Sequence, residues 1–179
     1  MLPAESSVNE ALIKLHGEAV WRLIVRILGN DGHDAADCFQ QAFVELVGRQ
    51  RRHGDVRDAG GLLRRIAAAR AVDCVRRRIR QRARIDDVDP LGLPARSAND
   101  PHATAEGSEL VNDLRTALTR LSARQAEAFV LVEVECLTRE QAALALGVSA
   151  NHVAVLLHRA RAALREHLAS HHASSETPS

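Results

Sequence analysis

The side chains in this sequence best suited to chemistry are arginines, with a few amides and imidazoles, and the chemistry they suit is recognition of a polyanion. Between Arg49 and Arg84 thirteen arginines stand against only Asp55, Asp58 and Asp73. The whole chain of 179 residues carries a formal charge of +1, so the rest of it is acidic. A solvated helix face is the plainer account of such segregation, and a basic surface for nucleic acid is the sharper one. Each arginine can neutralise a phosphate and release its counterions, which makes affinity fall steeply with salt. Aromatic side chains that would stack on unpaired bases are absent from this run, since the chain holds only Phe39, Phe43, Phe129 and Trp21.

The second candidate is the stretch from Leu137 to Arg161. Thr138, with Gln141 three residues on, has the capping-box spacing that opens a short helix. Gly147 supplies the positive φ that ends it, and Ser149 caps a second helix. Ala143 is small where the two helices must cross, and Ala142, Leu146, Val148, Val153 and Leu156 fall on the inner face. The whole reads as a helix-turn-helix whose second helix presents Ser149, Ala150, Asn151, His152 and Ala154 to the DNA major groove. An ordinary pair of packed helices is the competing reading.

Bond-making chemistry finds no such support. A Gly-rich phosphate loop, a Ser/His/Asp arrangement and paired carboxylates are all missing, so an enzyme is not expected. His16, His33, His53, His158 and His167 are scattered and read as surface or packing residues. Cys38, Cys74 and Cys136 are odd in number and widely spaced, which suggests reduced thiols buried as small hydrophobes. Neither a metal site nor a cofactor is expected, and His171-His172 belongs to a polar tail. No basic segment leads into an apolar signal core, and Val20–Leu28 carries Arg22 and Arg26 and is too short to span a bilayer. The expectation is a soluble cytoplasmic protein without membrane insertion.

The elements that must position these groups are helical, since Ala, Leu, Val and Arg dominate and no stretch alternates like a strand. The expected fold is all-α, with two small helical domains joined by a flexible linker. The first domain, 1–85, starts with a helix from Ser7 to Gly29, with Leu12, Leu15, Val20, Leu23, Ile24 and Ile27 on its apolar stripe and Trp21 in the core or at a packing edge. Asn30-Asp31-Gly32 is turn chemistry. A second helix, capped by Asp34, buries Phe39, Ala42, Phe43, Leu46 and Val47 and leaves Asp37, Gln40, Gln41 and Glu45 for a partner. Arg49–Gly61 reads as a loop broken by Gly54 and Gly60-Gly61. A third helix then runs to about Ile85 and carries nine arginines. Residues 86–107, with Pro90, Pro94 and Pro101, read as the linker. The second domain, 108–168, resumes a helix at Glu109, opens another at Ser122 with Gln125 at capping-box spacing, and ends in the helix-turn-helix. The tail 169–179 is expected to be disordered.

Taken together, the pattern resembles a sigma factor of RNA polymerase, of the compact sigma-70-type extracytoplasmic-function (ECF) group. Asp34-Ala-Ala-Asp-Cys-Phe-Gln-Gln-Ala-Phe-Val-Glu-Leu and Leu62-Leu-Arg-Arg-Ile-Ala-Ala-Ala-Arg-Ala-Val-Asp-Cys-Val-Arg-Arg-Arg are similar to the family's region 2. Leu118-Thr-Arg-Leu-Ser-Ala-Arg-Gln-Ala-Glu-Ala-Phe through Arg159-Ala-Arg-Ala-Ala-Leu-Arg is similar to region 4. The resemblance implies that Asp37 and Gln40, with Gln41 beside them, bind the clamp helices of the polymerase's largest subunit. It implies that Arg76, Arg77 and Arg78, flanked by Arg70 and Arg80, engage the −10 element and its unwound strand, with Asp73 at the usual acidic position. Ser149, Asn151, His152, Arg159 and Arg161 fall in the helix that reads the duplex −35 element. Core RNA polymerase and promoter DNA are the implied partners, and inhibition by an anti-sigma factor is common in the family.

Some positions depart from the family pattern. Leu62-Leu63 stands where Trp-Leu is frequent, Ala69 where Asn is common, and His152-Val153-Ala154-Val155 where Thr-Val-Lys-Ser is usual. The leading reading is a sigma factor that directs core polymerase to specific promoters. The alternative, favoured by Leu62 and Ala69, is a sigma-derived DNA-binding regulator that does not melt promoters. A third is an adaptor whose arginine helix is merely solvated.

Overall fold

The computed structural model describes residues 3–29, 32–54, 56–86 and 105–175, and every regular element among them is helical. In chain order these are α1 (Pro3–Leu28), α2 (Gly32–His53), α3 (Ala59–Asp86), α4 (Ala105–Arg120), α5 (Ala123–Phe129), a π-helical segment (Val130–Val134), α6 (Arg139–Leu146) and α7 (Ala150–Ser175).

The central element is α3, which packs against α1, α2, α4, α5 and α6. Its composition explains that position. Ala67, Ala68 and Ala71 are fully buried beside Leu63, Ile66, Val72 and Val75, so neighbours approach closely on several sides. Val20, Leu23, Ile24 and Ile27 of α1 and Ala35, Ala42, Phe43 and Leu46 of α2 complete the N-terminal half of this core. The same core continues into the C-terminal unit through Ala117, Leu118, Leu121, Ala126, Val130, Ala160 and Leu164. A second, smaller core joins Ala128, Leu131, Ala142, Ala143, Ala145, Leu146, Val153, Leu156 and Leu157. Trp21 is a packing edge, meeting Phe39 edge-on at 5.8 Å between ring centroids.

Several local expectations are corrected. Leu15 is 74% exposed, because α1 meets Phe39 at the buried Gly17 and Leu15 lies about half a turn away from that contact. Asp34 sits inside the first turn of α2 and binds Arg77 and Arg78. The expected loop shrinks to the residues between His53 and Ala59. Gly60 and Gly61 do not break α3 but let other elements reach its start. A Cβ on Gly60 would lie 2.7 Å from the His16 ring, and one on Gly61 would lie 3.1 Å from the Ala145 methyl. Asp58 precedes them and accepts the Gly61 N–H at 2.7 Å, a good N-cap. At the C-terminus α7 continues to Ser175 into the stretch expected as a tail, since no Gly or Pro interrupts it before Pro178. Residues 87–104 of the expected linker and 176–179 of the tail lie outside the described residues. Of the cysteines, Cys38 and Cys74 are buried as expected, but Cys136 is exposed, at φ +54° in the bend before α6.

Arginines tie the units together. Glu127, only 9% exposed, accepts Arg65 Nε at 3.0 Å and Arg124 Nη1 at 3.4 Å. Glu135 receives Arg26 and Arg64 at 3.6 and 3.7 Å. Backbone carbonyls at helix ends receive others: Arg78 donates to Leu28 O at 3.2 Å and Arg115 to Ile27 O at 2.8 Å, both at the end of α1. Arg76 donates to Thr119 O and Leu121 O, where α4 ends.

Two stability predictions follow from these pairs. Glu127→Ala leaves Arg65 without its carboxylate where the arginine side chain is only 19% exposed, and should cost about 3 kcal/mol in urea unfolding. A loss below about 1 kcal/mol would refute the role given to the pair. The second concerns Asp34. Burial pushes its carboxyl up, but the hydrogen bond from Arg78 and that with Cys74 outweigh it, so its pKa is lowered. A lowered folded-state pKa contributes stability fully above the ordinary carboxyl value, about 4, and loses it as pH falls through the lowered one. Stability of Asp34→Asn should therefore decline less steeply below about pH 4 than that of the natural chain. Parallel acid titrations of the two would contradict this.

Candidate nucleic-acid interface

The helix-turn-helix forms as its caps dictate. The Thr138 hydroxyl accepts the Gln141 N–H at 3.2 Å and the Gln141 side-chain oxygen Oε1 accepts the Thr138 N–H at 2.9 Å, closing the capping box. Gly147 ends α6 at φ +67°, and the chain bends by 98° into α7, within the range of helix-turn-helix units. The Ser149 hydroxyl accepts the His152 N–H at 3.2 Å. Beneath this, Ala142, Ala143, Leu146, Val153 and Leu156 are buried as the pattern requires. Ser149, Asn151, His152 and Arg159 are exposed, and among the described residues Arg159 has no ion partner. Arg161 is placed differently: its guanidinium is paired with Glu133 of the π-helical segment.

What aims this unit was not visible in the sequence. Arg124 of α5 bridges Glu127 and Leu146 O, the latter at 3.2 Å and at the end of α6. One side chain thus links the inter-unit ion pair to the turn of the helix-turn-helix. The spacing of Arg124 and Glu127 (i, i+3) was a possible signal; the tertiary partner was not.

The arginines of α3 divide into two sets. Arg76 and Arg78 are committed to the fold through α4, α1 and Asp34. Arg70 pairs with Glu45 at 2.8 Å and Arg77 reaches Asp34 at 3.4 Å, both from exposed positions, while Arg80 is exposed. Arg70, Arg77 and Arg80 line one shallow groove of about 490 Å³ between α2 and α3, together with Asp37, Gln41, Asp73 and the fold-bound Arg76. Its floor includes Cys38 and Cys74, whose thiols burial pushes up, that of Cys74 to about 12 with help from a hydrogen bond to Asp34. Both thiols are therefore held in their neutral form.

On α2, Asp37, Gln40 and Gln41 are all exposed, and Val44 lies one turn further along the same face, 72% exposed. Val44 was not singled out from the sequence, although its spacing from Gln40 and Gln41 would place it there. Of the residues at departures from the family pattern, Leu62 is buried in the core and Ala69 is half-buried. Among the described residues no single helix is long and apolar enough to cross a membrane.

Residues 112–164 match the family model described as Sigma-70, region 4. The chain is 37% identical over 170 residues to the ECF RNA polymerase sigma factor SigE of Mycolicibacterium smegmatis, covering 94% of this chain and 63% of that protein. It is 32% identical over 161 residues to the RNA polymerase sigma-E factor of Streptomyces avermitilis, covering 90% of this chain and 85% of that one. The sigma factor RpoE from Bartonella quintana, solved in complex with the anti-sigma factor NepR, shares the fold with a TM-score of 0.51 at 20% identity, over 89% of this chain and 95% of that one. This chain belongs to the sigma-70 family of RNA polymerase sigma factors, in its ECF group.

The turn itself is testable. Gly147→Ala places a side chain at φ +67° and should destabilise the protein by about 1–2 kcal/mol. An unchanged unfolding midpoint would contradict the strain argument.

Proposed function

We propose that this chain works as a non-enzymatic initiation factor in the cytoplasm, binding core RNA polymerase and directing it to specific promoters. The exposed strip Asp37, Gln40, Gln41 takes the polymerase. The start of α7, through Ser149, Asn151 and His152, reads the −35 duplex, with Arg159 supplying a phosphate contact. In the −10 region, Arg70, Arg77 and Arg80 along the α2/α3 groove contact the DNA backbone, while Arg76 and Arg78 support them from within the fold. Arg161 serves the reading helix through Glu133. An anti-sigma factor is a third partner of this type of chain, as NepR is for the Bartonella quintana relative. The observation that carries the reading is the open face at the start of α7, held by caps on both sides of the turn and presented by a chain of this family.

The experiment is reconstitution. Purified chain mixed with core polymerase should co-elute and yield promoter-specific transcripts. Asp37→Ala/Gln40→Ala should weaken core binding at least about tenfold. Asn151→Ala/His152→Ala should keep core binding and lower preference for the best site by about tenfold or more. No complex with core polymerase would overturn the proposal; unchanged site preference in the second variant would remove α7 from it.

A further inference from the structure

The outer face of α7 holds one residue that its polar neighbours do not explain. Val153, Leu156, Leu157, Ala160 and Leu164 turn into the core. Asn151, His152, Val155, His158 and Arg159 are left open. With 3.6 residues per turn, Asn151, Val155 and Arg159 fall four apart on one stripe, and Val155 is its midpoint, on the side away from the buried seam. Val155 is 47% exposed. Ala154 beside it is short and half-buried, and Ala150 packs against the second core, so neither adds reach to this face. On the first two turns only Asn151, His152 and Val155 are then long enough to touch base edges.

The major groove offers one apolar group, the C5 methyl of thymine. An aliphatic side chain between an amide and a guanidinium complements that methyl, and it can form no hydrogen bond with the polar groups of the other base edges. We propose that Val155 is a specificity-determining residue that reads a thymine through its methyl, beside an adenine read by Asn151. The inference rests on α7 being the duplex-reading helix. Its chemistry is readout by apolar contact where hydrogen-bonding side chains are few.

The test uses the full chain assembled with core polymerase. Duplexes enriched from a randomised pool are resynthesised with each thymine replaced in turn by deoxyuridine, which removes only the methyl. Affinities are compared at one fixed salt concentration. For the natural chain one replacement should weaken binding about fourfold, the value of one buried methyl-sized group. For Val155→Ala, whose exposed position spares the fold, that thymine-to-deoxyuridine ratio should fall to about one. Val155→Ile, which keeps the aliphatic contact, should retain the ratio. An enriched site with no deoxyuridine-sensitive thymine, or a Val155→Ala variant that keeps the ratio, overturns this inference and leaves the reading of α7 standing. Failure to enrich any sequence overturns both.

Discussion

A helix leaves its last carbonyls without partners, and the partial negative charge gathered there must be met by something. In this protein arginines meet it, from elsewhere in the chain. Arg78 and Arg115 reach the end of α1, Arg76 the end of α4, Arg124 the end of α6 and Arg26 the end of the π-helical segment. Each of these bonds joins two elements, so charge complementarity and tertiary docking are the same event. The planar guanidinium suits this use because its several donors can serve a carbonyl and a carboxylate together. Arg76 does so with Leu121 O and Asp73, and Arg78 with Leu28 O and Asp34.

That arrangement depends on α3 being narrow. With Ala67, Ala68 and Ala71 at the centre of its packing face, five other helices pack against it, and α1 and α4 come near enough for Arg78 and Arg76 to reach their ends. A larger residue at any of these positions would push a neighbour outward and stretch the arginine contacts with it. The same geometry carries orientation to the DNA-reading motif. Arg65 of α3 holds Glu127, Glu127 holds Arg124, and Arg124 holds the turn before α7.

The helix-turn-helix was legible in the sequence because its signals are local. A hydroxyl and an amide three residues apart, a glycine and a periodic inner face specify it without help from distant residues. The exposed α2 face was legible for the same reason. The arginine run was legible only as charge. Arg76 has one local partner, Asp73 three residues before it, but the contacts that commit Arg76 and Arg78 to the fold are with groups more than 40 residues away, and nothing local shows those. The paired glycines misled for a similar reason: the groups that need their bare backbone, His16 and Ala145, lie on other elements. The π-helical segment was also hidden, since Val130–Val134 reads as ordinary apolar helix.

The docking of Arg115 on Ile27 has a consequence for how the protein is made. The two residues lie 88 positions apart, so the amino-terminal helices emerge from the ribosome long before the donor that closes the end of α1. Until α4 is synthesised, that end has Arg78 but not Arg115, and Leu118 and Leu121 are not yet there to complete the shared core. The carboxy-terminal unit has the opposite history, because its caps and its own small core join residues close in sequence. Vectorial synthesis therefore leaves the amino-terminal unit waiting, while the carboxy-terminal unit closes soon after its last helix appears.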